Sequence, residues 1–146
     1  MGKRYTNVNE VSEPLPRILI VDDEHQLRAL LSSSFVRAGY EVVAAPSALD
    51  ALAFCSVQAF DAVLSDVDMP KMNGHELARW FAVNHPKTLC VLMSGFGTEC
   101  EECPFAGRCI LLRKPFAPQA AVSLLTRMLS QRPVDGVDKR AAIEDD

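Results

Sequence analysis

The sequence AVLSDVDMP, residues 62–70, joins the pattern of a buried strand to a carboxylate at its end. Apolar residues open the stretch, Asp66 follows them, and Pro70 comes shortly after. A continuous apolar run is typical of a strand buried in a parallel sheet, and Pro cannot continue a central strand. Asp66 is therefore expected at the carboxyl end of a buried strand, where open α/β sheets bind ligands. A single Asp at such a place also commonly caps the following turn.

Three further apolar runs also end in side chains that can take part in chemistry. The runs are residues 17–23 (RILIVDD), 89–95 (LCVLMSG) and 110–115 (ILLRKP). Their ends supply the carboxylates of Asp22 and Asp23, the hydroxyl of Ser94 beside Gly95, and the amine of Lys114. Two adjacent carboxylates at one strand end and a third at another repel each other unless a cation joins them.

Helical periodicity separates these strands along the chain. Strands are predicted near residues 17–21, 40–45, 60–65, 88–93 and 109–112, with amphipathic helices after the first, second, third and fifth. The alternation predicts an α/β fold, a parallel sheet wound with helices on both faces.

The first helix shows the clearest local signals. Asp23, with Gln26 three residues later, is predicted to form its capping box. The leucines and the phenylalanine at helical spacing predict its inward face (Leu27, Leu30, Leu31 and Phe35). Gly39 follows the last turn as a stop signal.

The order Asp-Asp, Asp, Ser and Lys, each at a strand end, resembles the receiver domain of bacterial two-component response regulators. The resemblance covers residues 17–131. It implies a flavodoxin-like (βα)5 fold with five parallel strands in the order 2-1-3-4-5, which places strands one and three together at the topological switch point. Residues 1–16 are then expected to form a flexible arm, and residues 132–146 a polar, disordered tail.

The resemblance also implies a magnesium site. Asp23 and Asp66 are the expected direct ligands, Asp22 is expected to act through a water, and the main-chain carbonyl of Asp68 is expected to complete the protein ligands. Carboxylate and carbonyl oxygens suit Mg²⁺, a hard cation that keeps several of its waters. Helix capping is the competing explanation for Asp22 and Asp23.

Asp66 is, by the same resemblance, the acceptor of a phosphoryl group from the phosphohistidine of a sensor histidine kinase or phosphotransfer protein. Lys114 and Ser94, with Gly95, are the expected phosphate-binding and switch residues. The Lys114–Pro115 peptide bond is expected to be cis. The protein is thus expected to be a regulator that catalyses only its own phosphorylation and dephosphorylation. An isolated Lys is more often a solvated surface amine, and a strand-end turn residue is the competing explanation for Ser94.

Two features depart from the family. The switch position three residues before the Lys is usually aromatic, but here it is Leu111. The segment after Ser94 is short and contains Pro104, so a normal fourth helix is doubtful there. Because residues 95–125 include the usual output face, a downstream protein or a second copy is expected to bind there.

The charge and the apolar pattern of the chain argue against two classes of protein, nucleic-acid binders and membrane proteins. The chain of 146 residues has a net charge of -4 and a pI near 5.4. These values argue against direct nucleic-acid binding, which usually needs a basic face. Since there is neither a membrane-length apolar stretch nor a signal-peptide core, a cytoplasmic protein without membrane contact is expected.

The cysteines leave one alternative open. Cys100 and Cys103 form a Cys-x2-Cys pair, and Cys109 follows. Three thiols lack a clear fourth ligand, and acidic neighbours raise thiol pKa values, so free thiols are favoured over a metal or redox sensor. A degenerate interaction module built on these cysteines remains the alternative function.

A phosphatase of the haloacid-dehalogenase type is a further alternative, because Asp66-Val67-Asp68 resembles its nucleophile motif. In that family the motif lies on the first strand and an acidic pair comes late. Here the acidic pair comes first, which argues against the phosphatase. Whether the chain acts alone or as part of a larger regulator is left open.

Overall fold

The fold is known from a computed structural model, which describes residues 15–95 and 110–131. The described chain contains five strands and four helices. In chain order they are β1 (Arg17–Val21), α1 (His25–Arg37), β2 (Glu41–Ala45), α2 (Ala48–Cys55), β3 (Ala62–Asp66), α3 (Gly74–Asn84), β4 (Leu89–Ser94), β5 (Ile110–Arg113) and α4 (Pro118–Ser130). The predicted arm and tail, Cys100, Cys103, Cys109 and the segment where a fourth helix is doubtful lie almost wholly outside the described residues.

All strand pairs are parallel, and the strands lie in the order β2-β1-β3-β4-β5. The predicted α/β class and strand order are therefore confirmed. In the register of β1 and β3, Val21 lies opposite Ser65. Because Asp22 follows Val21 and Asp66 follows Ser65, the register alone brings these two residues side by side at one edge of the sheet.

Side chains of β1 alternate between two cores, one on each face of the sheet. Ile18 and Ile20 belong to the core under α1 and α4, and Leu19 and Val21 to the core under α2 and α3. This alternation is the period-2 pattern of a strand. All four side chains are fully buried, so β1 is a rigid support for the residues that follow it.

Helix α1 begins later than its sequence signals predict. Glu24 is its N-cap, and no side chain caps the helix. The predicted capping box of Asp23 and Gln26 is therefore wrong. The Oδ1 atom of Asp22 instead accepts a hydrogen bond of 2.8 Å from the Glu24 N–H. This bond stabilises the turn that precedes the helix.

The inward face of α1 is also narrower than predicted. Leu31 and Phe35 are fully buried and Leu27 packs against them, but Leu30 is 51% exposed. Leu30 precedes Leu31 by one residue and so points about 100° away from it around the helix. Helix α1 ends as predicted, because Gly39 has φ of 100° and the Tyr40 N–H donates to the Phe35 carbonyl, as in a Schellman motif.

The other helices follow their sequence signals. Ser47 caps α2 by accepting from the Asp50 N–H, and Pro118 opens α4. A capping box of Asn73 and Glu76 opens α3. Among the described residues, none of these helices has the length and apolarity required to cross a membrane.

Candidate functional site

Three carboxylates meet where β1 and β3 end. Asp22 follows β1 and Asp66 is the last residue of β3; ligand oxygens of Asp22, Asp23 and Asp66 all lie within 4.8 Å of one another. Asp22 and Asp66 are buried, whereas Asp23 is exposed. The predicted convergence is confirmed, and the acidic cluster they form is closed on the protein side and open to solvent at Asp23.

Lys114 reaches this cluster from the other side of β4. Its main-chain N–H donates to the Ser94 carbonyl at 2.8 Å, which fixes the start of the chain that leaves β5. Its Nζ lies 3.2 Å from Asp66 Oδ1 and 3.6 Å from Asp22 Oδ2. The Lys114–Pro115 peptide bond is cis, as expected. Lys114 is therefore an ion-pair partner inside the site and not a solvated surface amine.

The charges of the site do not balance. Burial raises the pKa of Asp66, the Asp22 charge raises it further, and Lys114 opposes both. Burial likewise raises the pKa of Asp22, against the Glu24 N–H and Lys114. Burial would lower the pKa of Lys114, but the two carboxylates outweigh this effect and raise it. The Lys114 ammonium thus pairs with Asp22 and Asp66, and the three carboxyl groups of the cluster outnumber it.

One atom marks where a cation fits. Among the described residues, Asp22 Oδ2 is a buried oxygen that accepts no hydrogen bond. Its contact with Lys114 Nζ, at 3.6 Å, is too long for a hydrogen bond, and a buried oxygen without one is costly in a protein interior. An all-oxygen donor set with a buried, unsatisfied carboxylate oxygen suits a hard divalent cation such as Mg²⁺. The residues present therefore fit the metal that the resemblance implies.

Two contributors to the site escaped the sequence analysis. The Arg28 Nη1 atom donates a hydrogen bond of 2.7 Å to the main-chain carbonyl of Asp22. Gly74, the first residue of α3, lies so close to β3 that a Cβ there would collide with the main-chain oxygen of Asp66 and lie 2.8 Å from the Val67 Cα. The Asn-Gly pair before an amphipathic helix could have indicated the close approach of Gly74, but no sequence pattern indicates a bond from Arg28 to a main-chain oxygen.

A comparison of the sequence with known families decides what this arrangement is. Residues 18–126 match the response regulator receiver domain. The chain belongs to this family. The match covers most of the chain and every predicted site residue, and it decides against the haloacid-dehalogenase alternative.

Relatives agree with the assignment. The chain is 35% identical over 131 residues to the response regulator protein FleR of Pseudomonas aeruginosa, a match that covers 88% of this chain and 28% of FleR. It is 38% identical over 114 residues to the virulence sensor protein BvgS of Bordetella bronchiseptica, covering 71% of this chain and 9% of BvgS. The chain thus spans less than a third of either relative.

A solved structure agrees as well. The chemotaxis response regulator CheY4 of Vibrio cholerae superimposes with a TM-score of 0.70 at 30% identity, covering 78% of this chain and 98% of CheY4. The chain is therefore a receiver domain of two-component signalling in both sequence and fold.

The remaining predicted residues of the receiver lie around the acidic cluster. Ser94 is buried at the end of β4, opposite Arg113 of β5, and Gly95 follows it in an exposed position. Asp68 is exposed two residues after Asp66, and its charge adds to the raised pKa of Asp66. The predicted roles of these three residues in binding metal or phosphate stay predictions.

Leu111 lies in a small apolar cluster on the α3 face of the sheet. It packs, half-buried, against the buried side chains of Val67, Ala78 and Leu92. Val67 directly follows Asp66, so this cluster connects position 111 with the loop that leaves β3. Its role in switching stays a prediction.

Proposed function

We propose that this receiver domain accepts a phosphoryl group on Asp66 from the phosphohistidine of a sensor histidine kinase or phosphotransfer protein. The observation that carries the proposal is the placement of the Asp66 carboxylate, which is buried at a strand end between a pair of carboxylates and the Lys114 ammonium. A fixed ammonium 3.2 Å away and a pair of carboxylates able to hold a cation supply the charge neutralisation that a phosphoryl acceptor requires.

The transfer forms one bond and breaks one. An Asp66 carboxylate oxygen attacks phosphorus, the phosphorus–nitrogen bond to the donor imidazole breaks, and the imidazole leaves with the bonding electron pair and takes up a proton. The product is an acyl phosphate on Asp66. Such a reaction asks the protein mainly to align the groups and neutralise charge on the phosphoryl oxygens.

Different residues would align the phosphoryl group and neutralise its charge. Asp22, Asp23 and Asp66 would hold Mg²⁺, with the Asp68 main-chain carbonyl as the further ligand that the resemblance implies. When bound, Mg²⁺ neutralises negative charge on phosphoryl oxygens. When Asp66 becomes an acyl phosphate its carboxyl group loses its negative charge, and the Lys114 ammonium, 3.2 Å from Asp66 Oδ1, can then bind a phosphoryl oxygen without leaving the site. Ser94, at the end of the neighbouring strand, supplies the hydroxyl that follows the new charge.

The response is a change in surface contacts. Ser94 and the nearby backbone would shift towards the phosphoryl group, and the segment after it would move with them. With Leu111 at the switch position, no aromatic ring there takes part. The expected outcome is control of a downstream protein or of a second copy through residues 95–125, in the cytoplasm and without direct contact to nucleic acid or membrane.

Phosphorylation by a small donor tests the proposal. Acetyl phosphate with Mg²⁺ should add one hydroxylamine-sensitive phosphoryl group to the wild-type protein, observed by intact mass spectrometry. Asp66→Asn should abolish it, because an amide is a poor nucleophile and binds the cation weakly. Asp61→Asn is the matched control, since Asp61 directly precedes the same strand at its other end. Undiminished labelling of Asp66→Asn would refute the assignment.

A further inference from the structure

The geometry points to Arg28 as a positioning residue of the metal site, which holds Asp23 in place without touching the metal itself. The inference rests on the proposed function, because it concerns the affinity of the acidic cluster for Mg²⁺. Neither the position of Arg28 in the sequence nor its positive charge predicts this role.

Hydrogen bonds hold the backbone on both sides of Asp23. The Asp22 carbonyl, in the peptide before Asp23, accepts a 2.7 Å bond from Arg28 Nη1. The Glu24 N–H, in the peptide after Asp23, donates 2.8 Å to Asp22 Oδ1. Both peptide groups that flank Asp23 are therefore anchored, although Asp23 is the exposed member of the acidic cluster. If Arg28 releases its bond, the first of these peptides can rotate and carry the Asp23 carboxylate with it.

The charge of Arg28 does not favour metal binding. Arg28 lies in the first turns of α1, where a cation opposes the helix dipole. It also lies beside the proposed binding site of a dication, which it repels. A side chain kept there for its charge alone would weaken metal binding. The short, charge-assisted hydrogen bond to the Asp22 carbonyl is the favourable interaction that the geometry shows.

These two effects predict opposite outcomes when Arg28 is removed. If only its charge mattered, Arg28→Met would raise the affinity for every divalent cation. If its hydrogen bond orients the ligands, Arg28→Met lowers Mg²⁺ affinity. The loss should be larger for Mg²⁺ than for Ca²⁺, because Mg²⁺ demands near-ideal octahedral geometry and Ca²⁺ tolerates irregular sites. Loss of a residue that orients a metal ligand typically lowers affinity about tenfold or more.

The experiment measures two dissociation constants per protein, by NMR titration with MgCl₂ and with CaCl₂. Arg28→Met should bind Mg²⁺ about tenfold more weakly, with a smaller change for Ca²⁺. Arg37→Met is the matched control, since it removes the same charge nine residues further along the same helix and should change neither constant. Arg28→Lys keeps the charge but not the Nη1 atom that reaches the Asp22 carbonyl, so it should also lower the ratio of Mg²⁺ to Ca²⁺ affinity.

The outcomes separate the two proposals. Higher or unchanged affinity of Arg28→Met for Mg²⁺, or an equal loss for both ions, would overturn the positioning role. If Arg28→Met does not fold, Arg28→Lys decides by the same affinity ratio. Wild type and Asp23→Ala are titrated first: if Asp23→Ala binds Mg²⁺ as the wild type does, the metal part of the proposed function fails, and the role of Arg28 fails with it.

Discussion

Charged side chains are arranged differently at the two ends of the strands. At the amino edge, where β1, β2 and β3 begin, the charged groups are paired. Asp61 accepts from the Arg17 N–H at 2.8 Å, and Arg17 Nε donates 2.9 Å to Glu41. At the carboxyl edge, where β1 and β3 end, three carboxyl groups lie together, Lys114 pairs with two of them, and Asp22 Oδ2 accepts no hydrogen bond.

From this difference we infer that the amino edge serves stability, and we predict that the carboxyl edge binds the cation. Paired groups at the amino edge should contribute to folding alone, so their substitution should leave metal binding unchanged. Repulsion among the carboxylates at the carboxyl edge should lower the unfolding free energy of the metal-free protein. A bound cation should raise that free energy again. The following variants test this comparison.

Gly74→Ala should have the largest effect, at the carboxyl edge. Its Cβ would collide with the Asp66 main-chain oxygen, so the end of β3 or the start of α3 must shift. A loss of about 2–3 kcal/mol in unfolding free energy, measured in urea, is expected from such overpacking. Mg²⁺ affinity should fall as well, because Asp66 moves.

Gly39→Ala is the control for that variant. A Cβ on Gly39 would meet nothing within 4 Å, but its φ of 100° is unfavourable for Ala. The expected loss is about 1–2 kcal/mol, with unchanged Mg²⁺ affinity. Equal metal affinity in both glycine variants would show that the close contact of Gly74 does not position Asp66.

Asp61→Ala tests the amino edge. It removes the acceptor of the Arg17 N–H, a part-buried donor, and should lower the unfolding free energy by about 1–3 kcal/mol. Asp61→Asn keeps an acceptor oxygen and should lose less. Both variants should take phosphate from acetyl phosphate as the wild type does, since the amino edge lies at the far end of the strand. Reduced labelling of folded Asp61→Asn would contradict the division between the edges.

Asp66→Asn should stabilise the metal-free protein, by an amount on the order of 1 kcal/mol near neutral pH. Burial first, and then the Asp22 charge, raise the pKa of Asp66 above its ordinary value of 3.8. The folded state therefore binds a proton more tightly than the unfolded state does, and wild-type stability falls as the pH rises through the raised pKa. The variant lacks this contribution.

Urea denaturation of the metal-free wild type and of Asp66→Asn at a series of pH values above 3.8 measures that difference. The gap in unfolding free energy should widen as the pH rises and then stay constant. Saturating Mg²⁺ should stabilise the wild type and leave the variant nearly unchanged. Parallel pH curves would show that Asp66 is not under electrostatic strain.

The Arg17–Glu41 pair should give the smallest effect. Both side chains are substantially exposed, so their ion pair is screened by solvent. A double-mutant cycle with Arg17→Met and Glu41→Gln should give a coupling free energy of about 0.2–1 kcal/mol that decreases with salt. A larger, salt-independent coupling would mean that the amino edge is more than a set of surface contacts.

The residues at the carboxyl edge also show which parts of the site can be predicted from the sequence. Asp22, Asp66 and Ser94 were predictable because each ends an apolar run, and parallel strands bring such ends together. The strand order came from the family resemblance, since alternation alone does not determine which strands are neighbours. The start of α1 was predicted wrongly because Asp22, and not Asp23, takes the local hydrogen bond.

Arg28 and Gly74 show a different limit. Arg28 acts on a main-chain carbonyl, an acceptor that every residue carries, so no residue type marks the contact in the sequence. Gly74 is needed because two backbones meet, a fact that depends on how α3 packs on β3. Contacts between side chains of characteristic chemistry could be predicted, whereas contacts to the main chain required the fold.

The position of β1 has a consequence for synthesis of the protein. β1 is the first strand along the described chain, yet it lies inside the sheet, between β2 and β3. On a ribosome its apolar residues, Ile18–Val21, emerge well before β3, residues 62–66, which covers its second edge. Parallel pairing over such sequence separations forms slowly, and unpaired apolar strands are prone to aggregate. A nascent chain that stalls before β3 should therefore depend on chaperones, and β3 should complete the protection of the strand that precedes Asp22.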